Sequence, residues 1–203
     1  MERARQGMKH VIELVDFDGT VGNTVMPKIE ARLQPVLRRH ERMARVAANI
    51  LFMFGDITGA GKKHVENSEL SSQMLDKELI ETLKRHKEDG VEIVMRTSNG
   101  HSQRIQNLLA ENGLVVEARH CDSDKKAEDT LEVMKKNPGK CVIPVNDSPW
   151  ETKDEIRRGS RRNVVLFSKM HNSLYVRAVG GAYITNVATT ETFDETVRRV
   201  ARA

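Results

Sequence analysis

Asp16 and Asp18, followed by Gly19 and Thr20, are the residues in this chain best suited to chemistry. They close a mostly apolar run, Val11 to Val15, so a buried strand is expected to deliver two carboxylates to its exposed end. Gly19 then lets the chain turn away at once. Carboxylates this close repel each other unless a cation stands between them, and hard oxygen donors at this density suit Mg²⁺. The same letters also fit a surface turn or a calcium loop. Calcium would need further oxygen ligands and a closing Glu, which Val21 to Met26 does not supply.

Two more strands are expected to end in reactive groups. Val91 to Met95 runs into Arg96, Thr97, Ser98, Asn99 and Gly100, while Cys141 to Val145 delivers Asn146, Asp147, Ser148, Pro149, Trp150 and Glu151. Further strands are predicted at 114–118 and 163–167. Helices are predicted at 101–112, 124–136 and 148–158, with a last one starting at Thr192. Strands separated by helices imply an α/β fold, a mainly parallel five-stranded sheet flanked by helices. In such a sheet the C-terminal strand ends share one edge, so Asp16, Asp18, Thr97 and Asp147 can converge.

The roughly 70 residues between Thr20 and Val91 exceed a normal crossover. We expect helix from Met26 to about Phe54, interrupted near Pro35, a polar loop from Gly55 to Ser68 and a helix from about Ser72 to Asp89. Residues 22–89 then form a helical cap, inserted after the first strand of a core made of 1–21 and 90–203.

The order DFDGT, a strand ending in Thr, a lysine at a helix start and an apolar strand ending in Asp resembles the haloacid dehalogenase superfamily, in its Asp-nucleophile phosphatase branch. The resemblance implies a Rossmann-like core in which Asp16 attacks phosphorus and becomes an aspartyl phosphate. It implies that Asp18 is general acid and base, and its presence favours phosphate esters over carbon–halogen bonds. It places Mg²⁺ between Asp16, the main-chain carbonyl of Asp18 and Asp147. Asn146 stands where the family usually has Gly or Asp. Glu151 falls where a second acid often acts on the metal, and with Ser148 it equally forms a capping box.

Thr97 is expected to bind a phosphate oxygen with the amides of Ser98 and Asn99, or simply to cap the next helix. One of the neighbouring Lys125 and Lys126 should face the phosphate; Lys126 is preferred because it immediately precedes Ala127 on the inward face. Lys62 and Lys63, in the cap loop, are candidates for meeting an anionic leaving group. Arg96 is expected at the surface, and Trp150 is expected to pack over the helix that follows the Asp147 loop rather than to stack on substrate.

The expected function is Mg²⁺-dependent hydrolysis of a small soluble phosphate monoester. Alternatives are a nucleoside monophosphate phosphatase, suggested by the strand that runs into His171 and Asn172, a phosphomutase, or a phosphate- or nucleic-acid-binding protein without turnover. A net charge of +4 favours an anionic partner. Aromatic residues are only 4% and the basic pairs are scattered without them, so nucleic acid is not the expected partner. No apolar run approaches membrane length, Met1 to His10 lacks a signal core, and Cys121 and Cys141 suit free thiols. A cytoplasmic setting is therefore expected.

Overall fold

The computed structural model describes residues 8–22, 46–47, 49–53, 70–98, 100–160, 163–169, 172–179, 184 and 186–203. Its core is a parallel sheet built on β1 (Val11–Asp16), β2 (Glu92–Thr97), β3 (Glu117–His120), β4 (Cys141–Asn146), β5 (Val165–Phe167) and β6 (Val187–Ala188). The strand order is β3-β2-β1-β4-β5-β6. All the ladders are parallel. The strand order reverses between β1 and β4, and open α/β sheets place their ligands outside the C-terminal strand ends at such a reversal.

The expected Rossmann-like α/β architecture is present, with one correction: the sheet has six strands. Val187–Ala188 is only two residues long, too short for any periodicity, and becomes a strand by pairing with Leu166 and Phe167. Strand β3 also lies later than expected, since Leu114 and Val116 are buried ahead of the ladder rather than in it.

Among the described residues, the helices that flank the sheet are α1 (Lys77–Glu88), α2 (Ser102–Glu111), α3 (Lys126–Lys136), α4 (Pro149–Glu155), α5 (Ser173–Val179) and α6 (Phe193–Ala201). Because strand side chains alternate, β1 serves two cores. Val11 and Val15 join a cluster with Leu79 and Leu83 of α1, Ile105 and Leu109 of α2 and Val197 of α6. Ile12 and Leu14 pack with Val94 and Val142, and with Val133 and Met134 of α3. The strand is therefore apolar on both faces up to Asp16 except for Glu13, which is fully buried beside His86. Burying each such Val, Ile or Leu contributes roughly 1.5–3 kcal/mol, which makes β1 a rigid mount for the acidic turn at its C-terminal end.

Most of the expected cap, including Lys62, Lys63 and the loop around them, lies outside the described residues, as does Asn99. Residues 46–47 and 49–53 are helical as expected, yet Val46, Ile50 and Leu51 are exposed. Where the segment leaves and rejoins the core, Gly22 bridges Leu75 antiparallel and Asp76 donates its N–H to the Val21 carbonyl at 2.9 Å. No helix among the described residues is long and apolar enough to cross a membrane.

Candidate active site

Beyond Asp16 the chain tightens into a turn in which the Val21 and Gly22 amides both donate to the Phe17 carbonyl, at 3.1 and 2.8 Å. Phe17 turns into the core at 1% exposure and leaves Asp16 and Asp18 at the strand end. Gly19 has φ of +79°, and a Cβ there would stand 1.9 Å from Asp147 Oδ2. The absence of a side chain thus lets the loop after β4 close onto the loop after β1. Asp16, Asp18 and Asp147 are all buried.

The Thr97 hydroxyl donates to Asp18 Oδ2 at 2.7 Å. Its alternative role as a cap is not taken, because α2 starts at Ser102 with His101 in the N-cap position. Ser98 follows Thr97 at the strand end and is partly buried. Of the neighbouring lysines it is Lys126 that points inward: its ammonium stands 2.8 Å from Asp16 Oδ1 and 2.7 Å from Glu151 Oε2. The Asp16 contact is an ion pair rather than an aligned hydrogen bond, since Oδ1 has no hydrogen-bond partner of good geometry. Lys125 is 65% exposed and pairs with Asp122 at 3.2 Å. Helix α4 begins as the capping signal predicts, with the Ser148 hydroxyl accepting from the Glu151 amide at 3.1 Å. The Glu151 carboxylate itself reaches Lys126.

Arg96 corrects an expectation. It is completely buried, and its guanidinium donates to Glu155 Oε1 at 3.0 Å, to the Thr130 hydroxyl at 2.9 Å and to Asn146 Oδ1 at 3.2 Å. Asn146 also donates to Glu155 Oε1 at 3.1 Å, which explains an amide before Asp147: it serves a buried network beneath the sheet edge. Trp150 corrects another, being 54% exposed, with the Lys153 ammonium 5.8 Å from the ring centroid.

Asn172, considered in the sequence only for its nucleotidase-like neighbourhood, has a different place. Its side-chain amide donates to the Asp147 and Phe167 carbonyls at 2.8 and 2.9 Å, and its oxygen accepts from the Lys169 amide at 2.7 Å. It thereby ties the loop carrying Asp147 to the end of β5. An Asn after a strand is a common loop residue, so no local signal marks this role.

Electrostatically the site is short of positive charge. Burial, and then the Glu151, Asp147 and Asp18 carboxylates, push Asp16 well above the usual carboxylate range against the opposing pull of Lys126. Asp147 is pushed up to about 7, first by burial and then by Glu151. Lys126 is raised by Asp16 and Glu151, which overcome its own desolvation. Among the described residues, Lys126 pairs with Asp16 and Glu151 and Lys169 pulls Asp147 down, yet both Asp16 and Asp147 stay raised, so a cation would be favoured by these hard oxygen donors. Among the described residues no three acidic, His or Cys side chains are arranged to hold a metal ion. The expected set needs only two carboxylates, Asp16 and Asp147, with the Asp18 carbonyl. Mg²⁺ characteristically keeps several waters on such a set, so these residues fit it.

The fold and site together define a parallel α/β protein with an acidic, lysine-bearing centre at its strand ends. Neither the models of known protein families nor the curated proteins contain a match to the chain.

Proposed function

We propose that this protein is a Mg²⁺-dependent phosphatase of the haloacid dehalogenase type, hydrolysing a small phosphate monoester through an aspartyl phosphate on Asp16. The observation that carries the reading is the Asp16–Lys126 pair at 2.8 Å, at the end of β1 and flanked by Asp18 and Asp147. Asp16 supplies the nucleophilic oxygen, and Lys126 offsets the charge that would otherwise repel a phosphate. Asp18 lies two residues on, its carboxylate oriented by the Thr97 hydroxyl. In this reading it protonates the leaving oxygen and then takes a proton from the water that hydrolyses the intermediate. Asp16, the Asp18 carbonyl and Asp147 would hold Mg²⁺, which would supply charge neutralisation for the phosphoryl group. Cys121 and Cys141 are both free thiols, in keeping with a cytoplasmic enzyme.

The test is release of p-nitrophenol from p-nitrophenyl phosphate with and without Mg²⁺, alongside Asp16→Asn. Metal-dependent release that Asp16→Asn abolishes supports the reading. Equal, trace release from both proteins removes it.

A nucleoside monophosphate is the second candidate substrate, favoured by the exposed Trp150 ring in the first turn of α4, three residues after Asp147. Aromatic faces stack bases. If nucleotides are the substrates, Trp150→Ala raises their KM and leaves that of sugar phosphates unchanged.

A further inference from the structure

We propose that Arg96 is a positioning residue for the whole site: its single guanidinium sets the register of the elements that carry Asp16, Thr97, Lys126, Asp147 and Glu151. The proposal rests on the phosphatase reading for its kinetic arm only.

Apart from a longer ion pair with Asp129 at 3.7 Å, the contacts of the guanidinium fall on or near the residues that carry the site. Nη1 donates to the main-chain carbonyl of Lys126 itself at 3.1 Å and to Thr130, one helical turn further along α3, at 2.9 Å. Nη2 approaches the Leu14 carbonyl, two residues before Asp16, at 3.4 Å and Asn146, immediately before Asp147, at 3.2 Å. It also meets Glu155, one turn after Glu151 on α4, at 3.0 Å. Arg96 is the residue before Thr97, so its backbone belongs to the same strand end.

Glu155 completes the frame by accepting from Thr130 at 2.9 Å and from Asn146 at 3.1 Å. A planar fork of fixed geometry can satisfy acceptors from several elements at once, which an ammonium on a flexible stem cannot. The β1, β2 and β4 strand ends and the facing ends of α3 and α4 are cross-linked beneath the reacting groups, on the side away from solvent. A buried ion pair is weak evidence for stability, because an apolar pair of similar volume often replaces it without loss. The placement of the acceptors, rather than the ion pair itself, points to alignment as the role.

The test separates folding from alignment. The double variant Arg96→Met/Glu155→Leu replaces the pair with apolar groups, and Arg96→Lys keeps the charge but loses the fork. Both are compared with wild type for Tm, for kcat and KM on p-nitrophenyl phosphate with Mg²⁺, and for the ¹⁵N-lysine ammonium resonance assigned to Lys126 by its absence in Lys126→Met. Misplacement of a reacting group by about 1 Å costs on the order of 100-fold in rate. We expect at least one variant to keep a Tm close to wild type while kcat falls about 100-fold, KM moves less than about threefold, and the Lys126 resonance shifts or broadens. Wild-type kcat and an unchanged resonance in either well-folded variant overturn the proposal. So does a loss of activity that only tracks the loss of folded protein in both variants. If wild type shows no Asp16-dependent turnover, the phosphatase reading fails, and the Lys126 resonance alone decides the role of Arg96.

Discussion

Gly19 and Asp147 stand 128 positions apart in the chain, yet Asp147 Oδ2 lies where a Gly19 Cβ would point, 1.9 Å from it. The overlap is with the Asp147 carboxylate itself, so a methyl there is admitted only if that side chain swings out of place. The φ of +79° adds strain for any other residue. Gly19→Ala is therefore expected to lower stability by roughly 1–3 kcal/mol and to displace Asp147. Urea unfolding reads the first effect and the Mg²⁺ concentration for half-maximal activity reads the second. An unchanged unfolding midpoint with an unchanged Mg²⁺ requirement would contradict the packing described.

Lys126 and Lys125 should behave oppositely. Lys126→Met leaves Asp16 and Glu151 buried without their ammonium, a loss of about 3–5 kcal/mol at neutral pH, and it abolishes turnover. Lys125→Met removes only an exposed pair with Asp122 and should leave both unfolding and activity as in wild type. Denaturant unfolding and the p-nitrophenyl phosphate assay on the two variants distinguish them. A silent Lys126→Met would sink the assignment.

On the opposite face of β1, His86 links Glu13 at 2.7 Å to Asp194 at 2.8 Å in a site with no solvent exposure of its ring. Its desolvation is outweighed by Glu13 and then Asp194, so its pKa lies above the ordinary 6.5. A raised histidine contributes stability that is complete below about pH 6.5 and is lost as pH rises through the folded value. The difference in unfolding free energy between wild type and His86→Gln should therefore be largest in mild acid and shrink in the alkaline range. A difference that grows with pH would reverse the sign and refute the charged pairing.

Asn172→Ala removes the donor to two backbone carbonyls, at Asp147 and Phe167. Each buried carbonyl left without a partner costs about 1–3 kcal/mol, and the one at Asp147 also frees the loop that carries this acid. A lower Tm together with a raised Mg²⁺ requirement is expected. A lower Tm with no change in metal requirement would confine Asn172 to folding.

What the amino-acid sequence determined by itself was the order of elements and the acids at their ends. Apolar runs ending in Asp16, Thr97 and Asp147 announce buried strands, because period and burial are local properties of the pattern. The Ser148 cap of α4 was legible for the same reason: donor and acceptor lie three residues apart. The tertiary structure alone decided which side chains meet. The place of Lys126 just before Ala127 favoured it over Lys125 only weakly, and it is the packing of α3 against β1 that turns its ammonium toward Asp16. Arg96 reads as a surface residue until acceptors from Leu14, Thr130, Asn146 and Glu155 are brought around it, up to 82 positions away. Strand β6 exists only because β5 offers it a ladder. Partners this distant are chosen by packing between elements, and a charged side chain can be buried only where that packing satisfies it.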